Sequence, residues 1–132
     1  MKTVFLSGPI RGLSREDSMN WRNMAHELLS NDFNVVHALR GREVEETLPD
    51  PRLAIIRDKV DIDNADIILV NDTLPNASMI GTAMEVIYAH QKNKVIIIFG
   101  NGHEKDYWLN YHSYARVESL ENACALVLQF FK

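Results

Sequence analysis

Short apolar runs alternate along this chain with segments whose apolar residues recur at helical spacing. The runs are rich in β-branched and other large apolar residues and are bounded by glycine, proline or polar residues, as buried strands are. They predict four strands, at Thr3–Gly8, Asn34–Ala38, Asp66–Asn71 and Lys94–Gly100. A weaker run at Ala115–Val117 indicates a short fifth strand.

The segments between the runs place apolar residues three or four positions apart, which is the pattern of a helix with one buried face. Four helices are predicted, with apolar positions at Trp21, Ala25, Leu28 and Leu29; Leu53, Ile56 and Val60; Ile80, Ala83, Met84, Val86 and Ile87; and Leu120, Ala123, Cys124, Val127 and Phe131. Ser119 precedes the last helix as a suitable N-cap. Residues 39–51 carry six charged side chains and two prolines without a period, so a loop is predicted there.

The alternation of strand and helix predicts right-handed βαβ units. We therefore expect an α/β fold, a Rossmann- or flavodoxin-like three-layer sandwich with a parallel sheet of four to five strands. The length of 132 residues suits one such domain, spanning 1–132, and is too short for two. Ligands of open sheets bind beyond the carboxyl ends of the strands, which directs attention to the loops after residues 7, 38, 71 and 100.

Charge and composition narrow the possible partners. The net charge is −4 and there is no basic stripe, so duplex nucleic acid is not an expected partner. The single cysteine, Cys124, excludes an internal disulfide and fits a reducing compartment. No apolar stretch is long enough to span a membrane or to act as a signal segment, so a cytoplasmic protein without membrane contact is expected.

One carboxylate, Glu85, stands inside the apolar stretch "IGTAMEVIYA". A helix that begins near Gly81 would place Glu85 about one turn from the positive end of the helix dipole, where it is expected to stay ionised. In that position it could act as a nucleophile or stabilise a positive charge. The alternative is a glutamate that is favoured near a helix start for stability alone, and position by itself slightly favours this alternative.

The segment "SGPIRG" follows the first predicted strand. Its glycines, Gly8 and Gly12, allow close backbone approach, and free N–H groups together with Arg11 could hold an anion. The spacing is not that of the dinucleotide-binding fingerprint. An ordinary strand-to-helix turn is the alternative interpretation.

Other polar candidates are less distinctive. Asp58, on the helix before the third strand, is followed by further acids that could form nothing more than a solvated face. His37, at the end of the second strand, could contact a ligand or could be a structural histidine. The remaining histidines lack the spacing of a zinc site.

Taken together, "FLSGPIRG" and the later "ADIILVN…GTAMEVIYA" resemble the nucleoside 2-deoxyribosyltransferase-like superfamily. That group includes base-exchanging deoxyribosyltransferases and nucleoside 5'-monophosphate N-hydrolases. The resemblance extends from the first to the fourth strand, with residues 39–51 poorly matched.

The resemblance implies that Glu85 attacks the anomeric carbon and that Asp58 protonates or orients the leaving base. It implies no metal and no cofactor. The loop that would hold the sugar and its phosphate reads Gly8, Pro9, Ile10, Arg11 and Gly12, and its Ile-Arg-Gly ending resembles the hydrolase branch. The expected substrate-binding set also includes Phe5, His37, Ser78, Met79 and Gly81.

Two positions depart from the superfamily pattern. Phe5 stands where a tyrosine is common, so a hydroxyl that would contact the nucleophile is missing. Met79 stands six residues before the nucleophile, where transferases usually carry aspartate and hydrolases often serine, although Ser78 is adjacent. Members of this group complete their sites with a neighbouring subunit, which implies a homo-oligomer, a dimer or larger.

The expected function is therefore cleavage of the N-glycosidic bond of a nucleoside or its 5'-monophosphate. Hydrolysis is slightly favoured over base exchange because of Arg11. The alternative is a non-catalytic nucleotide-binding or sensing domain of the same fold, which Phe5 and Met79 would favour. The sequence does not specify the base or the sugar of the substrate.

Overall fold

A five-stranded parallel sheet forms the centre of the computed structural model, which describes residues 1–132. The strands are β1 (Thr3–Ser7), β2 (Asn34–His37), β3 (Ile67–Asn71), β4 (Val95–Phe99) and β5 (Ala115–Val117), in the order β2-β1-β3-β4-β5. All four strand pairs are parallel, with Phe5 opposite Val36 on one side and Ile68 on the other. The predicted α/β class and the weakly signalled fifth strand are confirmed.

Five helices connect and cover the strands. They are α1 (Arg15–Leu29), α2 (Pro51–Asn64), α3 (Ile80–Gln91), α4 (Tyr107–Tyr111) and α5 (Leu120–Phe130). Side-chain caps begin four of them: Ser14, Asp50, Asp106 and Ser119 each accept a backbone N–H of the first turn. Ser119 caps the last helix as the sequence predicts.

The sheet separates two apolar layers because successive strand residues point to opposite faces. Val4 and Leu6 face the layer formed with α1 and α5, and this layer includes the buried Cys124. Phe5 faces the other layer, which is formed with α2, α3 and α4. The three-layer arrangement is therefore the predicted one.

The apolar stripe predicted on α2 is not its buried face. Leu53, Ile56 and Val60 are all exposed, and Ile62 near the end of the helix is its only buried residue. On α3 likewise, Ile80 and Met84 are exposed. The spacing of apolar residues identified both helices correctly, but the face that meets the sheet depends on how each helix is seated.

The carboxyl ends of β3, β4 and β5 are joined by a buried carboxylate, Asp72. Asp72 accepts the backbone N–H of His103 at 3.0 Å, pairs with the His103 ring at 2.6 Å and accepts Arg116 Nη1 at 2.8 Å. Arg116 also donates to the carbonyl of Gly100 at 2.9 Å. This network fixes the loops on that side of the sheet.

The chain reverses direction across the sheet between β1 and β3. From β1 it passes to β2 on one side, and it then returns to β3 on the other side. Such a reversal opens a crevice beyond the carboxyl ends of the two central strands. None of the helices has both the length and the apolar character needed to cross a membrane.

Candidate active site

A cleft of about 510 Å³ lies at this reversal of strand order. Its walls come from the loop after β1, from α2 and from the start of α3. Among the residues that line it are Gly8, Pro9, Ile10, Arg11, Arg42, Asp58, Lys59, Ser78, Gly81, Glu85 and Tyr88. Eight of the predicted site residues are therefore brought together: Gly8, Pro9, Ile10, Arg11, Asp58, Ser78, Gly81 and Glu85.

Glu85 projects from α3 toward the end of β1. Ser7 Oγ donates a hydrogen bond to Glu85 Oε1 at 2.9 Å, across 78 positions of sequence. The other carboxylate oxygen, Oε2, is buried without a hydrogen-bond partner. One oxygen is thus held by a hydroxyl donor, while the second meets no donor and can bond to the Asp58 carboxyl group through a shared proton, an interaction that raises the pKa of Glu85.

Asp58 reaches the same space from α2. Its Oδ1 atom is also buried without a partner. Burial raises the pKa of Glu85, and the charge of Asp58 raises that pKa further, whereas the Ser7 hydrogen bond and Arg22 lower it. Burial likewise raises the pKa of Asp58. Two neighbouring carboxyl groups in a covered site share protons and titrate as a pair.

The expected support of Glu85 by the helix dipole is not what the structure shows. The helix α3 begins at Ile80, so Glu85 lies in the second turn, and the first turn contains no acidic residue. The dipole effect falls off within the first turn. Desolvation therefore dominates, and the carboxyl holds its proton to higher pH than an exposed glutamate.

The loop after β1 approaches α1 closely. A Cβ atom at Gly8 would lie 2.9 Å from the Trp21 ring and 3.1 Å from Asn71 Cβ, so only glycine fits there. Pro9 and Ile10 continue along the cleft wall to Arg11, which is exposed at the rim. An anionic group in the cleft could reach this guanidinium.

Four predicted site residues do not line the cleft. Phe5 is 0 % exposed and packs in the apolar layer beneath it, and Met79 packs against the same layer. Gly12, with φ of +83°, lies in a neighbouring hollow that also contains Arg11 and Ser78. His37 accepts the Leu39 N–H at Nδ1, and burial lowers its pKa to about 4, which fits a structural histidine.

The acids that follow Asp58 serve the fold. Asp61 forms an ion pair with Arg40 at 2.9 Å, and Asp63 accepts the Tyr88 hydroxyl at 2.8 Å. Asp66 accepts the backbone N–H of Thr3 at 2.8 Å and so joins β3 to β1. Nowhere do three or more histidine, cysteine or acidic side chains converge as they would around a metal ion.

Several side chains at the site were not identified from the sequence, among them Ser7, Arg22 and Tyr88. Ser7 is part of the quoted "SGPIRG" segment, but only the pairing of β1 with β3 brings it to Glu85. Tyr88 follows Glu85 by nearly one helical turn, so its place on the cleft wall could have been predicted. Arg22 lies on α1, and no local pattern marks an arginine there as buried.

Unpartnered buried polar atoms are concentrated at this site. The protein has five such side-chain atoms, and three belong to Glu85, Asp58 and Arg22. Buried polar atoms are normally satisfied, so a cluster of exceptions requires an explanation. A polar ligand in the cleft would supply partners for the two carboxylates, and the pair could then provide both a nucleophile and a proton.

Comparison with known proteins shows the fold. No protein-family model matches the sequence, and no curated protein matches it. Among solved structures, a 2-deoxyribosyltransferase from Bacillus psychrosaccharolyticus superposes with a TM-score of 0.73 at 17% identity, covering 92% of this chain and 89% of that chain. A 2-desoxiribosyltransferase from Leishmania mexicana gives 0.73 at 17% identity, covering 100% of both chains.

A CMP N-glycosidase from Clostridium botulinum also shares the architecture. Its TM-score is 0.67 at 17% identity, covering 98% of this chain and 100% of that chain. The predicted resemblance to the deoxyribosyltransferase and N-hydrolase group is thus confirmed in the fold.

Proposed function

We propose that this protein cleaves the N-glycosidic bond of a nucleoside or its 5'-monophosphate through a covalent intermediate on Glu85. The observation that carries the proposal is the pair of covered carboxyl groups, Glu85 and Asp58, which both line one cleft and each have one buried oxygen that no donor satisfies. The fold shared with deoxyribosyltransferases and a CMP N-glycosidase supports the same chemistry.

The two carboxyl groups have different roles in the proposed reaction. Glu85 Oε2 attacks the anomeric carbon as the bond from that carbon to the base nitrogen breaks, and its negative charge stabilises the oxocarbenium-like state. Asp58 delivers the proton that the leaving base requires. Water, or a second base, then attacks the same carbon, the ester to Glu85 breaks, and the proton released by the acceptor returns to the pair.

Burial, together with the charge of Asp58 beside Glu85, keeps this proton available. Both pKa values are raised, so the pair holds a proton at a pH where two exposed carboxyl groups would hold none. Positive charge that develops on the sugar favours ionised Glu85, and the shared proton then passes through Asp58 to the base. The Ser7 hydroxyl holds the nucleophile in position during this step.

We favour hydrolysis of a monophosphate over base exchange because Arg11 is exposed at the cleft rim, where a 5'-phosphate could reach it. Arg11→Ala is expected to reduce kcat/KM for monophosphates at least tenfold more than for nucleosides, since only the former carry the charge. Arg52→Ala is the matched control, because Arg52 is exposed and is not part of the cleft. Equal losses on both substrate classes would refute a phosphate contact.

Product analysis tests the reaction class. The protein is incubated with purine and pyrimidine nucleosides, with and without a 5'-phosphate, in the presence or absence of a second free base, and the products are separated by chromatography. Release of free base alone identifies a hydrolase, and a new nucleoside identifies a transferase. Binding without turnover would favour the non-catalytic alternative and overturn the proposal.

Two variants test the assigned roles. Glu85→Gln removes the nucleophile and is expected to abolish turnover, together with the covalent adduct seen by intact-mass analysis after acid quench. Asp58→Asn is expected to lower the rate on the order of 10²- to 10⁴-fold, the usual contribution of a general acid. Asp32→Asn, which changes a carboxylate at the opposite end of the sheet, is the control. Retained activity in Glu85→Gln would exclude the covalent mechanism.

We also infer that a second copy of this chain covers the face beside the cleft. Six apolar side chains are exposed there on α2 and α3: Leu53, Ile55, Ile56, Val60, Ile80 and Met84. Three of them, Ile55, Ile80 and Met84, line the cleft itself. An apolar face of this kind marks an interface, and a twofold dimer buries it against its own copy.

A further inference from the structure

Arg22 is the largest fully buried side chain in the protein. It lies on α1 and is only 1 % exposed, although arginine is almost never fully buried without an ion-pair partner. No carboxylate lies within salt-bridge distance of it. A charge in this position is costly unless other groups compensate it.

Arg22 contacts the loop after β1, which forms one wall of the cleft. Nη2 donates to the carbonyl of Gly8 at 3.1 Å, and Nη1 donates to the carbonyl of Ser18 at 2.6 Å. The guanidinium carbon lies 4.6 Å from the centre of the Trp21 ring, and Nε is buried without a partner. The fork of the guanidinium therefore joins α1 to the first residue of the loop after β1.

Arg22 is linked to the carboxyl pair through two adjacent residues: it holds the carbonyl of Gly8, and the preceding residue, Ser7, donates to Glu85. Burial lowers the pKa of Arg22 to about 10, and the largest opposing influences are Glu85 and Asp58. The influence is mutual, because Arg22 also lowers the pKa of both carboxyl groups. Charges interact more strongly where burial excludes water than they do at the surface.

The other charged groups around the pair are on α2 and in the loop after β2. Arg57 and Arg42 favour the ionised form of Asp58, and Asp61 opposes it. Arg57 is held by the carbonyl of Ala38 at 2.6 Å, and Arg42 is paired with Glu46. For Glu85, Arg22 is the cation that lowers the pKa.

We propose that Arg22 is a positioning residue for the reaction: it holds the Gly8 carbonyl, and so the loop after β1, and it provides the fixed positive charge behind Glu85 and Asp58. The inference rests on the proposed function for its catalytic consequence only. The electrostatic part concerns the free protein and can be measured without substrate.

Direct titration of the carboxyl groups is the first test. Side-chain carboxyl ¹³C resonances of Glu85 and Asp58 are followed against pH in the wild-type protein, in Arg22→Gln and in Arg22→Lys. Arg22→Gln keeps hydrogen-bonding groups and loses the charge, so the midpoints should rise by about one pH unit. Arg22→Lys keeps the charge and should leave them within a few tenths of a unit.

The pH dependence of the rate is the second test. Ionised Glu85 is required for attack, so the acidic limb of the kcat profile should move to higher pH in Arg22→Gln and stay in place in Arg22→Lys. The lysine variant should instead raise KM severalfold, because one ammonium group cannot hold both carbonyls. Arg52→Gln removes an exposed charge and is the control; it should change neither the acidic limb of the kcat profile nor KM.

The outcomes separate the two proposals. Unmoved carboxyl midpoints in folded Arg22→Gln would overturn the role of Arg22, whatever the activity of the enzyme. A wild-type protein that turns over no nucleoside would overturn the proposed function, and the titration would still decide the electrostatic inference. If Arg22→Gln fails to fold, Arg22→Lys decides: carboxyl midpoints that rise by about one pH unit in this folded variant, although the charge is kept, would overturn the electrostatic role of Arg22.

Discussion

At the scale of single residues, the burial of Glu85 carries a cost in stability. Its carboxyl group is covered by other elements and keeps its proton to higher pH than an exposed glutamate. A folded-state pKa above the unfolded one means that the folded protein binds more protons, so stability is lost as pH rises through the folded value. Functional sites commonly combine shifted pKa values with such a cost.

Glu85→Gln is therefore expected to be inactive and more stable. The amide has no charge to desolvate, and it can still accept the Ser7 hydrogen bond. The gain in the free energy of unfolding should be on the order of 1–2 kcal/mol above neutral pH and should shrink as the pH is lowered. Urea unfolding at several pH values measures it. A variant that is less stable than wild type at high pH would contradict this account.

His37 reduces the stability of the protein at acidic pH, whereas Glu85 reduces it at high pH. Burial lowers its pKa from 6.5 to about 4. Between these pH values His37 is protonated in the unfolded chain but not in the folded protein. The free energy of unfolding therefore falls as the pH drops from about 6.5 toward 4.

His37→Asn keeps an acceptor for the Leu39 N–H and removes the titration. The free energy of unfolding of this variant should change less between pH 6.5 and pH 4 than that of wild type. Because His37 does not line the cleft, turnover at neutral pH should be retained. An identical pH dependence in the two proteins would show that His37 is not the group responsible.

At the scale of elements, the turn that follows β4 permits only glycine. Gly100 has φ of +96°, and a Cβ atom there would lie 2.5 Å from the carbonyl oxygen of Asp72. Gly41 has a similar φ of +79°, but a Cβ atom there would meet nothing within 4 Å. A side chain at Gly41 would therefore meet backbone strain alone, whereas a side chain at Gly100 would meet both backbone strain and a steric clash.

Gly100→Ala should destabilise the protein by at least about 4 kcal/mol, because backbone strain and a backbone clash act together. Gly41→Ala should cost about 1–2 kcal/mol, since only the left-handed conformation is disfavoured. Chemical denaturation of both variants measures the difference. Equal losses would show that the loop after β4 relaxes around the added methyl group.

The exposed stripe of α2 explains why helix periodicity gave the right element and the wrong face. A spacing of three or four positions identifies a helix with an apolar side, whatever that side contacts. In this chain the apolar side of α2 faces outward, and Ile62 is the only residue of the helix that is buried against the sheet layer.

At the scale of the whole molecule, this outward apolar face predicts self-association. Ile56 belongs to this face, is exposed and does not line the cleft. Ile56→Glu would place charges at a twofold interface and should shift the protein from dimer to monomer in sedimentation analysis. Phe130→Glu, on α5 in the opposite layer, is the matched control and should leave the assembly unchanged.

Activity should follow assembly in the same experiment. Three apolar residues of this face line the cleft, so loss of the partner opens the cleft to water and should lower turnover along with the dimer fraction. A wild-type protein that is monomeric at high concentration would exclude the dimer and show that a second copy does not cover this apolar face.

The sequence by itself determined the order of the elements, the parallel sheet and the principal members of the cleft. Strand runs and helix spacing are local patterns, and the right-handed crossover rule converts their order into a fold. The rule that ligands bind beyond the carboxyl ends of strands directs attention to the Gly8–Arg11 segment and to Glu85, whereas Asp58 was assigned through the family resemblance; all of them line the cleft.

Only the tertiary structure decided which hydroxyl meets Glu85, which arginine holds the loop after β1 and that burial raises the pKa of the Glu85 carboxyl group. Phe5 carries no hydroxyl, and Ser7, at the end of the same strand, provides the one that meets Glu85. Arg22 comes from another element and is buried only because α1 packs over the loop after β1. Desolvation sums over all surrounding elements, so no local sequence pattern can report the raised pKa of Glu85.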